Sequence, residues 1–168
     1  MNPQVKITTS LGEITLELDS DNAPKTTQNF LNYVDKDFYN GTIFHRVIDG
    51  FMIQGGGFEA GMIEKNTSEP IKNENPNTLK NDKYTIAMAR TQDPHSATAQ
   101  FFINVADNTF LDFKEATIEG YGYCVFGKVI NGQDTVDKIR ETETQKVGYD
   151  SDVPINDITI TSMEQISK

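Results

Sequence analysis

A chain of 168 residues can bury a sizeable core without disulfide or metal staples. Ten Phe and six Tyr beside 24% charged residues fit a folded globule and exclude a disordered chain. A formal net charge of −10, with no basic patch, argues against nucleic acid or an anionic membrane as partner.

The opening residues, Met1-Asn2-Pro3-Gln4-Val5-Lys6, lead straight into a strand pattern. No basic region followed by an apolar one appears there, so no secretory signal is expected. No run of 18 apolar residues occurs, so no transmembrane helix is expected either. The one cysteine, Cys124, reads as a buried structural thiol, because it has no partner for an internal disulfide. Together these point to a reducing, cytoplasmic address.

Val5, Ile7 and Thr9 alternate with polar residues, and Ile14, Leu16 and Leu18 alternate again after Ser10-Leu11-Gly12. This predicts a β-hairpin with one buried face. Asn22-Ala23-Pro24 reads as a helix entry with Pro24 in the first turn. Thr27, Phe30, Leu31 and Val34 then follow at i, i+3, i+4 and i+7, an apolar stripe suited to plugging the end of a strand structure.

Phe44-His45-Arg46-Val47-Ile48 and Phe51-Met52-Ile53-Gln54, closed by Gly55-Gly56-Gly57, read as strand, turn, strand. Alternation sets Phe44, Arg46 and Ile48 on one face, and Met52 and Gln54 on one face of the next strand. Desolvating a guanidinium is costly, so Arg46 either pairs with an acid or points into an apolar-walled cleft. The second arrangement would grip something uncharged while offering it hydrogen-bond donors. The glycine triplet reads as a tight turn against a neighbouring strand, since no Gly-Lys-Ser/Thr follows and no helix opens there.

Residues 59–83 form a long polar stretch with Pro70, Pro76 and several Asn, long enough to carry a short strand of its own. Tyr84 to Arg90 is a strand with small Ala87 and Ala89 on one face, leaving its backbone open to another chain. Gln100 and Phe102 share one face of the next strand, and Phe101 and Ile103 the other. Tyr123 to Val129 is a further strand. Asn131-Gly132 begins a second helix carrying Val136 and Ile139, and a strand around Ile158 and Ile160 closes the chain. About eight strands with two short helices and no βαβ rhythm predict a mainly β protein: a closed eight-stranded antiparallel β-barrel capped by two short α-helices. No repeat or linker divides it, so residues 1–168 read as one domain.

Several chemistries fall away. The two histidines, His45 and His95, lie far apart without Cys partners, which argues against zinc. His45 reads as a satisfied structural histidine and His95 as a solvated one. Ser96 beside His95 is no triad, because adjacency in sequence is not the required geometry, and a hydrolase has no support. No cofactor or metal is expected.

Phe38-Tyr39-Asn40-Gly41-Thr42-Ile43-Phe44-His45-Arg46-Val47-Ile48, running on through Gly50-Phe51-Met52-Ile53-Gln54-Gly55-Gly56, resembles the signature of the cyclophilins. Ala87-Met88-Ala89-Arg90, Ala99-Gln100-Phe101-Phe102-Ile103 and Val125-Phe126-Gly127-Lys128-Val129 resemble further family segments, and the likeness spans nearly the whole chain. Ala89-Arg90-Thr91, His95-Ser96-Ala97-Thr98-Ala99-Gln100 and Gly122-Tyr123-Cys124-Val125-Phe126 are most similar to the bacterial cytoplasmic branch. The resemblance implies peptidyl-prolyl cis/trans isomerase activity, with Arg46 as catalytic donor to the twisted amide. It implies a proline pocket of Phe51, Met52, Phe102 and Leu111, and a substrate-binding role for Gln54. The backbone at Ala89-Arg90 would carry the peptide, and Gln100 would line the next subsite. Phe110 stands where many eukaryotic members have a tryptophan, which implies weak cyclosporin binding. Tyr123, after an insertion around residues 113–122, stands where the family has a pocket histidine. Arg90 replaces a smaller polar residue and would give the rim positive charge. The implied partners are proline-containing peptides and unfolded or flexible protein segments, bound by a monomer. The alternative is a peptide-binding module or chaperone using the same groove without significant turnover.

Overall fold

The computed structural model describes residues 2–167, and side chains through residue 166. In chain order the elements are β1 (Gln4–Thr9), β2 (Gly12–Leu18), α1 (Pro24–Asp35), β3 (Arg46–Ile48), β4 (Met52–Gly55), β5 (Phe58–Glu59) and β6 (Ile63–Glu64). Then come β7 (Thr85–Met88), β8 (Phe101–Asn104), a 3-10 turn (Thr109–Leu111), β9 (Val125–Asn131), α2 (Gln133–Arg140), β10 (Thr144–Val147), β11 (Asp150–Pro154) and β12 (Ile160–Ser167).

Eight strands form one curled antiparallel sheet in the order β12-β1-β2-β9-β7-β8-β4-β3. The predicted hairpin is present, with Val5 opposite Leu16 and Ile7 opposite Ile14, all four fully buried. The ladder stops short of full closure, because the edge strands β3 and β12 do not pair. Instead residues 41–44, running into β3, cross the seam. Gly41 N and Phe44 N donate to the carbonyls of Ile160 and Ile158, and Ile160 N donates to Thr42 O.

That crossing corrects one expectation. Phe44 does not share a face with Arg46: the regular strand begins at Arg46, and Phe44 turns inward, fully buried, against Phe101. Arg46 pairs with Gln54 and Ile48 with Met52 on the outer face, while Val47 and Ile53 face the core.

The core lies inside the curl. Phe30 of α1 meets Tyr39, Phe101 and Phe126 at centroid distances of 5.2, 5.8 and 5.2 Å. Helix α1 thus plugs one end with the predicted stripe of Thr27, Phe30, Leu31 and Val34. Helix α2 buries Val136 and Ile139, and its Arg140 binds Asp49 at 2.7 Å and Asp137 at 3.0 Å.

The long polar stretch does carry strands, since β5 and β6 pair across Gly61. Its remainder is held by side-chain amides in place of a backbone ladder. Asn75 Nδ2 donates to Tyr121 O, Asn73 Nδ2 to Gly122 O, Asn81 Nδ2 to Tyr123 O and Asn77 Nδ2 to Val125 O. The same stretch caps α1, whose own entry residue Ala23 offers no side-chain acceptor. Glu74 accepts from Lys25 N at 3.1 Å and Thr26 N at 2.6 Å, placing negative charge at the helix's amino end. The hairpin β10–β11, with its tip at Gly148 and Tyr149, lies outside the main sheet and was not anticipated from sequence.

Candidate functional site

Strands β4, β7 and β8 bury residues on both faces, which is why their apolar content exceeds simple alternation. On the outer face Met52, Ala87, Ala89, Phe102 and Val125 make a second, smaller apolar cluster, with Phe51, Leu111 and Tyr123 packed against it. A cavity of about 150 Å³ opens above this floor, lined by Arg46, Phe51, Met52, Gln54, Ala89, Arg90, Phe102, Leu111 and Tyr123. These are nine of the eleven residues singled out from sequence. Gln100 lines an adjoining cleft that shares Gln54, Ala89 and Arg90 with the first. Phe110 stands at the rim, 60% exposed, with its ring stacked on Phe51 at 5.7 Å and 28°.

Polar groups are confined to the edge of the floor. Among the described residues Arg46 has no carboxylate within ion-pair distance, which decides between the two alternatives for it. Its Nη1 makes a long 3.5 Å contact to Oε1 of Gln54, and Gln54 Nε2 donates to Gln100 Oε1 at 2.9 Å. The amides thus run from Gln100 through Gln54 toward an exposed guanidinium at the edge of an apolar surface. Gly57 gives Gln100 its place, since a Cβ there would fall 2.5 Å from the Gln100 side chain. Gly56, at φ +91°, has a backbone conformation that side-chain-bearing residues rarely adopt. The expected turn therefore covers only Gly56-Gly57, a close-packed bend between β4 and β5, while Gly55 ends β4 opposite Phe101.

Arg90 is oriented differently. It donates to Thr91 O at 2.9 Å and Gly122 O at 2.7 Å, and its guanidinium lies 4.3 Å above the Tyr123 ring. Tyr123 meets Phe102 edge-on at 5.6 Å and so forms the far wall of the cavity. This arrangement can seat a compact apolar ring and present it with a guanidinium from one side. It lacks a nucleophile: Ser96 Oγ donates to Asp93 O and accepts from Thr91, and His95 Nδ1 accepts from Asn73 N.

Residues 4–165 match the family described as cyclophilin type peptidyl-prolyl cis-trans isomerase/CLD. This chain belongs to the cyclophilins. It is 58% identical to peptidyl-prolyl cis-trans isomerase B of Escherichia coli K12, over 92% of this chain and 94% of that one. It is 56% identical to the isomerase cyp18 of Streptomyces antibioticus, over 94% and 95% of the two chains. The fold matches a crystal structure of a cyclophilin type isomerase from Cryptosporidium parvum with a TM-score of 0.82 at 28% identity, covering 100% of this chain and 99% of that one. A second structure of that parasite protein, obtained in the presence of the dipeptide Ala-Pro, matches with a TM-score of 0.81 at 29% identity, over 98% and 99% of the two chains. The activity is peptidyl-prolyl cis/trans isomerisation.

The cyclophilin site has a buried polar support that sequence reading missed. Asn81, Asn104 and Asn108 are 1%, 0% and 3% exposed and join side chain to side chain beneath Phe51, Leu111 and Tyr123. Composition gives little sign of this, since Asn is common in the loops; Asn104 closing an apolar strand was the one available cue.

Two other groups behave as their burial dictates. Burial pushes the Cys124 thiol up, and its sulfur lies 3.7 Å from both Thr26 Oγ1 and Asn77 Nδ2, in keeping with a structural thiol. His45 is buried beside Phe58, and loss of solvation brings its pKa down to about 4, opposed by Asp150 and reinforced by Arg46. The sequence reading took His45 to be satisfied, yet its Nδ1 has no hydrogen-bond partner. Among the described residues, no helix is long and apolar enough to cross a membrane.

Proposed function

We propose that this cyclophilin isomerises X-Pro bonds without covalent chemistry, with Arg46 as the catalytic residue. Resonance in the planar amide sets a rotation barrier of roughly 18–20 kcal/mol, and twisting returns the lone pair to nitrogen. A donor aimed at that nitrogen therefore binds the twisted amide more tightly than the planar one. Lowering the barrier by about 7 kcal/mol would accelerate rotation about 10⁵-fold. The observation that carries the reading is Arg46: exposed, without a carboxylate partner among the described residues, and lining an apolar cavity.

Phe51, Met52, Phe102 and Leu111 would hold the proline ring, with Tyr123 as the far wall. Gln54 would bind the substrate backbone and steady Arg46. The backbone at Ala89-Arg90 would carry the peptide, and Gln100 would line the subsite for a preceding residue. The Ala-Pro dipeptide present with the parasite relative supports proline-containing peptides, and hence unfolded or flexible protein segments, as partners. Phe110 supplies a stacked ring but no indole N–H, which supports weak cyclosporin binding; nanomolar inhibition in an activity assay would overturn that reading. The net charge of −10 supports the absence of a nucleic-acid partner. We place the protein in the cytoplasm as a monomer, one domain spanning residues 1–168.

The test is two-dimensional exchange NMR on an Ala-Pro peptide with the wild type and Arg46→Ala. Loss of about 10²–10³-fold in rate, with peptide still bound, is the expected result for removal of a transition-state donor. Retained exchange in the variant overturns the role of Arg46. Binding without accelerated exchange in either protein makes the groove a binding module.

A further inference from the structure

Part of the apolar wall around the cavity comes from three separate stretches: Phe51 before β4, Leu111 in the 3-10 turn, and Tyr123 before β9. Backbone bonds link two of them directly, Tyr123 N to Leu111 O at 2.9 Å. Further backbone bonds run from Val105 N to Phe51 O at 3.0 Å and from Asn108 N to Asn81 O at 2.8 Å, and amide side chains complete the fastening. Asn108 Nδ2 donates to Phe51 O at 2.9 Å and Asn104 Oδ1 at 2.7 Å. Asn104 Nδ2 donates to Asn81 Oδ1 and Thr85 Oγ1, each at 3.0 Å. Asn81 Nδ2 reaches Leu111 O and Tyr123 O, both at 3.2 Å, and Asp112 Oδ1 at 3.1 Å.

The three amides make a continuous buried chain, Phe51–Asn108–Asn104–Asn81–Leu111/Tyr123, that crosses behind the cavity. Buried amides keep both donors and acceptors only where partners meet them, so this chain has few alternative arrangements. None of the three touches the cavity, and Arg46 stands on β3, outside the chain.

We propose that Asn81, Asn104 and Asn108 are positioning residues for isomerisation, setting where the proline-holding wall stands relative to Arg46. This rests on the reading that the cavity holds proline beneath Arg46. Binding a proline ring tolerates a wall displaced by a fraction of an ångström. Aligning the amide nitrogen with a guanidinium on another strand does not, because donation to the twisted nitrogen needs both partners in register.

The test uses Asn104→Ala and, since that residue ends an inner strand of the sheet, Asn108→Ser as a milder change at the head of the 3-10 turn. A misplacement of about 1 Å lowers turnover on the order of 10²-fold, so both folded variants should lose about 10- to 100-fold in kcat/KM. Peptide affinity, read by NMR titration, should change less than about threefold, whereas uniform loss of binding would move KM with kcat unchanged. The decisive arm repeats Asn108→Ser in the Arg46→Ala background. If the amides act by placing the wall against Arg46, the second substitution there costs less than about twofold, a strongly non-additive cycle. Equal loss in both backgrounds, or unchanged kcat/KM in folded Asn108→Ser, overturns the proposal. Wild-type rates in Arg46→Ala alone overturn the underlying reading instead, so the two failures are distinguishable.

Discussion

Phe101 and Phe102 are neighbours on β8 and face opposite worlds. Phe101 is fully buried inside the curl and meets Phe30, Tyr39 and Phe44 at near-perpendicular angles, with no polar group required. Phe102 is almost as buried, yet it lies on the outer face, touching Tyr123 and lining a cavity with two arginines at its rim. A sheet that buries both faces can therefore give one to stability and the other to chemistry. The inner face is filled by rings; the outer one leaves space for a ring from another chain.

The contrast can be tested by unequal damage. Phe101→Ala removes a ring from a closed aromatic cluster and should cost about 3–5 kcal/mol in denaturant unfolding, while the folded fraction keeps its kcat/KM. If activity per folded molecule falls as steeply as stability, the two faces are not separable. His45, buried against Phe58, extends the test through pH. Its folded pKa of about 4 lies below the ordinary 6.5, so between these values the unfolded chain binds the extra proton. Stability should therefore be fully present above pH 6.5 and fall as the pH drops toward 4, by up to about 3 kcal/mol. Denaturant midpoints across that window check this, and the slope should become markedly shallower in His45→Phe. A flat wild-type profile would mean that His45 is solvated. Phe102→Leu, on the outer face, should lower stability by less than about 1.5 kcal/mol yet raise KM for proline peptides several-fold. The smallest effect belongs to Arg90→Ala, which removes a cation–π contact of about 0.5–1 kcal/mol and should change peptide affinity about 2- to 5-fold. A larger loss would place Arg90 in direct contact with the peptide.

Much of this architecture was legible because it follows a period. The β1–β2 hairpin, the α1 stripe and the opposition of Phe101 to Phe102 are all written in the spacing of apolar residues. Phe44 broke the pattern because the chain leaves the ladder at His45, where seam-crossing bonds outrank alternation. The hairpin β10–β11 escaped notice since only Val153 and Pro154 are buried in its polar strands. For the site, spacing alone singled out Arg46, while its gathering with Leu111 and Tyr123 was readable only through family resemblance. The asparagines had no period to betray them, because an amide-to-carbonyl bond depends on where the chain returns and not on what surrounds it in sequence.

The Glu74 carboxylate at the head of α1 has a consequence for a chain still being made. Thr26 and the residue that caps it are separated by 48 positions. At roughly 5–20 residues per second of synthesis, the helix's amino end waits about 2–10 s for its acceptor. Until then the first turn of α1 is free to fray, and the plug of the barrel has only its apolar stripe to hold it.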